Sequence, residues 1–325
     1  MAELAARLLA RERAAVPEAL NLVDDARPGS RRAALALLDA LEREARLPGA
    51  QRVGLTGAPG AGKSTLLDAL VRRLRARGEP VGIVAVDPSS RRSGGALLGD
   101  RARVRSGSSD PGVFFRSMAA RDRLGGLADA TRSSVTVLAA VFDRVFVETV
   151  GVGQSESDVA ALADALVYVA QPGAGDTLQF MKAGLLELPD LFVVNKADLG
   201  PAAERTAHEL AAALGLGARD PSGWTPRVLL ASARDGRGID ELVAALDAHR
   251  EHQGATGALA ERRRRGALQF VRDALERRYG SYGLGRVGGE AALLARLRES
   301  PGTSPWSLVE TLGREIEDAL RKPEA

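Results

Sequence analysis

Gly57-Ala58-Pro59-Gly60-Ala61-Gly62-Lys63-Ser64 has the G-x-x-x-x-G-K-[ST] spacing with which a backbone can wrap a phosphate chain. Glycines let successive N–H groups turn inward toward phosphate oxygens, and a helix opening at Lys63 adds roughly half a positive charge at its N-terminus. In this pattern Lys63 reaches the β- and γ-phosphates, the Ser64 hydroxyl ligates Mg²⁺, and Thr65 follows in the first turn.

A second cluster addresses the base. The apolar run Leu191-Phe-Val-Val ends in Asn195-Lys196-Ala197-Asp198, the N-K-x-D sequence of guanine readers. The Asp198 carboxylate can accept from both N1–H and the exocyclic N2 amine of guanine. Adenine lacks that donor pair, so discrimination rests on polar groups it would leave unpaired. Lys196 is expected along the ring, Asn195 as a tie to the glycine loop, and Ser232-Ala233-Arg234 as the cover over the base. GTP rather than ATP is the implied nucleotide.

Three carboxylates complete the chemistry. Asp87 and Asp100 lie in Val84-Ala-Val-Asp87-Pro-Ser-Ser…Leu-Gly-Asp100, and Glu148 in Val145-Phe-Val-Glu148-Thr-Val-Gly151-Val-Gly-Gln154. Asp87 before Pro-Ser-Ser can equally open a turn, and strand-end acids such as Asp100 and Glu148 can equally cap or solvate. Gathered beside a phosphate loop, they suit a bound Mg²⁺, as direct or water-mediated ligands or as groups that orient the attacking water. Val152 stands where many GTPases place a water-orienting Gln. Valine cannot hold water, so the isolated chain should hydrolyse slowly.

These residues need a sheet to present them. Continuous apolar segments at Val53–Thr56, Val81–Asp87, Arg144–Thr149, Ala165–Ala170, Leu191–Asn195 and Arg227–Ser232 alternate with helical patterns. This predicts an α/β fold, a P-loop NTPase with a mostly parallel sheet flanked by helices. Three helices are expected over residues 1–48, the nucleotide domain over 49–252, and a helical arm over 253–325, broken by glycines at 280–289 and ending in a helix capped at Ser304-Pro305.

Composition excludes several alternatives. The chain has 325 residues, 45% hydrophobic content, a net charge of +3 and no cysteine, so it has no disulfide and no thiolate metal site. No apolar run reaches membrane-span length, and Glu3 and Glu12 argue against a targeting peptide, so a cytoplasmic protein is expected. Arg262-Arg263-Arg264-Arg265 is read as a solvated or partner-facing helix, and nucleic acid is not expected as a ligand. His208, His249 and His252 are too scattered for a metal site; the last two are read as solvated at a polar helix end.

In combination, the phosphate loop, Val-Asp-Pro-Ser-Ser…Leu-Gly-Asp, Glu-Thr-Val-Gly-Val-Gly-Gln, Pro172-Gly-Ala-Gly-Asp176-x-Leu-Gln179 and Asn-Lys-Ala-Asp resemble the MeaB/ArgK/MMAA GTPases over nearly the whole chain. The resemblance implies a Mg²⁺-dependent GTPase cycling between GTP and GDP, a homodimer formed partly through the C-terminal arm, and an adenosylcobalamin-dependent acyl-CoA mutase as partner, typically methylmalonyl-CoA mutase. In that setting the GTPase gates cofactor loading and protects or rescues the mutase. Lys63, Asp87, Asp100 and Glu148 then belong to the hydrolysis site, with Ser64 and the three carboxylates around the metal, and residues 171–183 form a further switch. Two departures, Ala120-Arg-Asp122 and Phe180, fall where a partner could touch. The rival readings are a metal-insertion GTPase and a transport-linked kinase; the kinase predicts ATP use, which Asp198 opposes.

Overall fold

The computed structural model describes residues 1–25, 27–44, 49–88, 110–120, 126–149, 155–173, 187–215, 223–299 and 302–321. Asp100, Asp122, Val152, Phe180 and most of 171–183 lie outside them, and of Asp87 only the backbone is described. The chain divides into two compact units: Ala50–Arg121 with Phe142–Leu259, and Met1–Gly49 with Asp122–Val141 and Ala260–Ala325.

The first unit is built on seven parallel strands: β1 (Gln51–Thr56), β2 (Val81–Pro88), β3 (Val113–Ala120), β4 (Arg144–Glu148), β5 (Ala165–Ala170), β6 (Leu191–Val194) and β7 (Arg227–Leu230). Their order is β3-β2-β4-β1-β5-β6-β7. The chain leaves β1 toward β2 and β3, returns through β4, then crosses to β5, β6 and β7. The carboxyl ends of β1 and β4 therefore lie at the switch point where such sheets bind ligands.

Side-chain alternation explains why both faces must be covered. On β5 and β6, Val167, Val169, Leu191 and Val193 enter one apolar cluster with Leu66, Leu70 and Leu246. Tyr168, Ala170, Phe192 and Val194 enter another, with Ala203 and Leu210. The period of two, apolar on both sides, is the signature of a doubly covered parallel sheet. Each fully buried Leu, Val or Phe contributes about 1.5–3 kcal/mol to that packing.

Helix α4 (Lys63–Ala76) follows the phosphate loop. Leu66, Leu67, Leu70, Val71 and Leu74 repeat at helical spacing and are buried, while Arg72 and Arg73 are exposed. Gly78, at φ +78°, ends it, its N–H bonded to Arg75 O at 2.9 Å. Helices α6 (Ser155–Ala160), α7 (Pro201–Leu214) and α8 (Ile239–Thr256) belong to the same unit.

The second unit is helical: α1 (Ala2–Leu9), α2 (Ala15–Asp24), α3 (Pro28–Arg43), α5 (Gly126–Val141), most of α9 (Ala258–Arg286), α10 (Gly289–Glu299) and α11 (Pro305–Arg321). Leu38, Phe270, Val271, Leu275, Leu293, Trp306, Leu312 and Ile316 form a core of it. The Ser304 hydroxyl accepts from Ser307 N–H at 3.2 Å, capping α11 as its sequence predicts. The expected glycine break is narrower than 280–289: helix continues to Arg286, and Gly280 alone within it leaves helical geometry, at φ +68°. Arg262–Arg265 lie on α9, where Glu261 pairs with Arg264 and Arg265.

Candidate nucleotide site

Strand β1 delivers the phosphate loop. Gly57 sits at φ +137°, and a Cβ there would lie 2.1 Å from Val169 O, a backbone atom of the neighbouring strand. Gly62, at φ +87°, would press a Cβ to 2.5 Å from Asn195 Nδ2. Both positions thus need glycine for conformation and for space. Ala58, Pro59 and Gly60 carry the loop outward, and Ala61 N–H closes it on Ala58 O at 3.2 Å. Lys63 is buried against this loop, its ammonium donating to Gly57 O at 2.8 Å and Ala58 O at 3.0 Å. Thr65 is exposed one turn into α4.

The base loop is tied to the phosphate loop by one side chain. Asn195 Nδ2 donates to Ala61 O at 3.0 Å and to Gly62 O at 3.3 Å, while Asn195 Oδ1 accepts from Ala233 N–H at 3.2 Å. Three segments far apart in sequence are joined there. Lys196 follows with φ +60°, and its ammonium donates to Gly60 O at 2.8 Å and to Gln171 Oε1 at 3.0 Å. A left-handed non-glycine residue costs about 1–2 kcal/mol, so its surroundings must hold it there.

Asp198 Oδ1 accepts from the Ser232 hydroxyl at 2.9 Å, and Arg234, largely exposed, stands 3.9 Å from Asp198 Oδ2. The Asp198 side chain remains about a quarter exposed. An oriented, partly open carboxylate can meet a donor pair on a ligand edge.

Register brings Glu148 to this place. Glu148 pairs with Leu55 of β1 and with Ala85 of β2, at the carboxyl edge of the sheet. It is buried, and Ser64 Oγ donates to Glu148 Oε1 at 2.5 Å. The next residue, Thr149, closes onto β1 through its N–H to Leu55 O at 3.1 Å. Asp87 emerges from β2 two residues beyond Ala85, at the same edge. A hydroxyl and a carboxylate in contact at a helix N-terminus form the hard oxygen set that Mg²⁺ takes. Ser64 and Glu148 therefore fit the ion that the phosphate loop implies.

One expectation fails by its environment. His249 is buried rather than solvated, because α8 turns it inward: Nε2 lies 3.3 Å from Asp190 Oδ1, and the Trp224 ring packs against it edge-on at 4.7 Å. Asp190 also accepts from Leu166 N–H at 2.7 Å. Among the described residues no group of three or more His, Cys, Asp or Glu could hold a metal ion, and no helix is long and apolar enough to cross a membrane. Sequence reasoning also left Gln171 without a bond to the base loop; its place directly after β5, beside β6, was the available signal.

Residues 16–281 match the family model described as methylmalonyl-CoA mutase-associated GTPase MeaB. The chain belongs to the MeaB family. A Pyrococcus horikoshii protein named as a GTPase is 50% identical over 215 residues, 65% of this chain and 68% of that one. The mouse methylmalonic aciduria type A homolog, mitochondrial, is 38% identical over 263 residues, 78% of this chain and 63% of its own. Among solved structures, one named as LAO/AO transport system kinase is 30% identical, with a TM-score of 0.70, covering 99% of this chain and 97% of the other. A nickel-bound HypB of Helicobacter pylori, at 17% identity and TM-score 0.50, shares the fold. Family membership and the P-loop fold make this MeaB-family chain a GTP hydrolase.

Proposed function

We propose that this GTPase acts as a chaperone of an adenosylcobalamin-dependent acyl-CoA mutase, methylmalonyl-CoA mutase first among them, gating cofactor loading and protecting or rescuing the mutase. Support for the partner comes from the description of the matched family and from the name of the mouse relative. Support for a guanine nucleotide comes from Asp198, held by Ser232 with an edge still open. That oriented carboxylate is the observation carrying the chemistry.

In this reading the backbone of Gly57–Thr65 cradles the phosphates and Lys63 neutralises them. Ser64 and Glu148 would hold Mg²⁺, with Asp87 and Asp100 as further carboxylates, and the ion would supply positive charge to offset that of the phosphates. Water attacks the γ-phosphorus, its oxygen forms the new bond, and the bond to the β–γ bridging oxygen breaks to leave GDP and phosphate. Asn195 keeps base and phosphate loops at a fixed separation, so base recognition and phosphate placement are set together. A homodimer through the C-terminal arm belongs to the same proposal.

The transport-kinase name of the solved relative supplies the second reading. It requires transfer from ATP to a protein acceptor, against which Asp198 stands. The test is GTP turnover with and without a purified methylmalonyl-CoA mutase. Stimulated release of phosphate from GTP supports the proposal. Turnover indifferent to that mutase and to other adenosylcobalamin mutases rejects the chaperone role.

A further inference from the structure

Lys196 meets two partners through its ammonium among the described residues: Gly60 O on the phosphate loop and Gln171 Oε1. The first is the loop's own backbone. The second is a side chain from outside both nucleotide motifs. Gln171 directly follows β5, and the backbone is anchored just before it and two residues after it: Ala170 O accepts from Asn195 N–H at 2.9 Å, and Gly173 N–H donates to Thr206 Oγ1 of α7 at 3.3 Å. The carboxamide is thus presented from a backbone held at both ends, one of them by the base loop itself.

A lysine has a long flexible stem, and most of its rotamers would carry the ammonium into solvent. Two acceptors on different segments select one. Because glutamine is neutral, it directs the ammonium without cancelling its charge, which stays available to the electron-rich face of a purine.

We propose that Gln171 is the positioning residue for Lys196, fixing the lysine stem as a wall along the bound base and so setting nucleotide affinity without reading which purine is present. This rests on the assignment of Lys196 and Asp198 to the base site. It separates two tasks within one loop: Asp198 reads the N2 edge, and Lys196 with Gln171 holds the ring plane.

The experiment compares Gln171→Leu and Gln171→Glu with the unmodified chain, titrating GDP and IDP with Mg²⁺ and measuring steady-state GTP hydrolysis. Hypoxanthine keeps the rings and loses the N2 amine. Gln171→Leu removes the acceptor and should weaken GDP and IDP by the same factor, about three- to tenfold, raising KM while kcat stays unchanged. Gln171→Glu keeps an acceptor oxygen, and with it the placement of the lysine, while offsetting its charge; it should bind more tightly than Gln171→Leu and no better than the unmodified chain. Should Gln171→Leu not fold, Gln171→Asn, one methylene too short, carries the same expectation. Unchanged affinity overturns the proposal, as does a loss confined to GDP, a fall in kcat, or a Gln171→Glu chain as weak as Gln171→Leu. An unmodified chain that binds no GDP would instead bring down the nucleotide assignment itself, and is recognised before any variant is made.

Discussion

Replacing Gly62 by alanine puts the coupling of the two nucleotide loops to a quantitative test. The residue sits at φ +87°, where an L side chain costs about 1–2 kcal/mol, and its Cβ would lie 2.5 Å from Asn195 Nδ2. That amide must move, which disrupts its bonds to Ala61 O and Gly62 O and the Ala233 N–H bond on its other end. Counting the Nδ2 bonds to the two carbonyls as one shared bond and the Ala233 bond as a second, at about 0.5–1.5 kcal/mol each, the displacement adds about 1–3 kcal/mol, so Gly62→Ala alone should cost about 2–5 kcal/mol. Asn195→Ala alone loses the same bonds and should cost about 1–3 kcal/mol. In the double variant nothing remains for the new Cβ to displace, and only the backbone term is added. The cycle should therefore show about 1–3 kcal/mol of coupling, with the double variant more stable than the sum of singles allows. Of the chain's two tryptophans, Trp224 belongs to the sheet unit and Trp306 to the helical one. In a Trp306→Phe background, urea unfolding followed by Trp224 emission reports the sheet unit alone. Additivity within about 0.5 kcal/mol would refute the claim that Asn195 packs against Gly62 as the tie between loops.

Lys63→Ala leaves the Gly57 and Ala58 carbonyls without their cation and removes the phosphate counter-charge; GDP affinity should fall at least about a hundredfold in a fluorescence titration. Ser64→Ala and Glu148→Gln each take one oxygen donor from the pair in contact, so the Mg²⁺ concentration for half-maximal hydrolysis should rise, and their effects should not add in the double variant. Asp129, half-buried on α5 and accepting from Trp306 Nε1–H, has its pKa raised by desolvation, which outweighs the Trp306 bond and the fields of Arg31, Arg277 and Arg132. A raised folded-state pKa stabilises below the unfolded value and is lost as pH rises through the folded one. Asp129→Asn, neutral and still able to accept from Trp306, should therefore raise the thermal midpoint at pH 7 to 8 and flatten its decline above the usual carboxylate range.

Much of the nucleotide unit was legible because its strands are continuous apolar runs and its loops carry fixed spacings. All six strands read from the sequence are present, with ends shifted by at most two residues. The seventh, β3, escaped because Arg116 and Ser117 interrupt Val113-Phe-Phe-Arg-Ser-Met-Ala-Ala, and an edge strand paired only with β2 need not be apolar throughout. Asn195 was legible as a tie because the motif specifies its place. His249 was not, since its burial depends on Asp190 and Trp224, which reach it only through the folded sheet. Gln171 was hidden for the same reason: periodicity locates the end of β5, but not the direction in which the next side chain bonds.

The central claim, a GTP hydrolase that reads guanine through Asp198, is tested most directly by phosphate release from GTP and from ATP, in the unmodified chain and in Asp198→Asn. The Asn side-chain oxygen can still accept from Ser232, so the loop is kept while the carboxylate that meets the N1–H and N2 donors is removed. The account predicts turnover of GTP with ATP inert in the unmodified chain, and a loss of GTP preference of about a hundredfold or more in the variant. Equal use of ATP and GTP by the unmodified chain, or a preference untouched by the substitution, would contradict it.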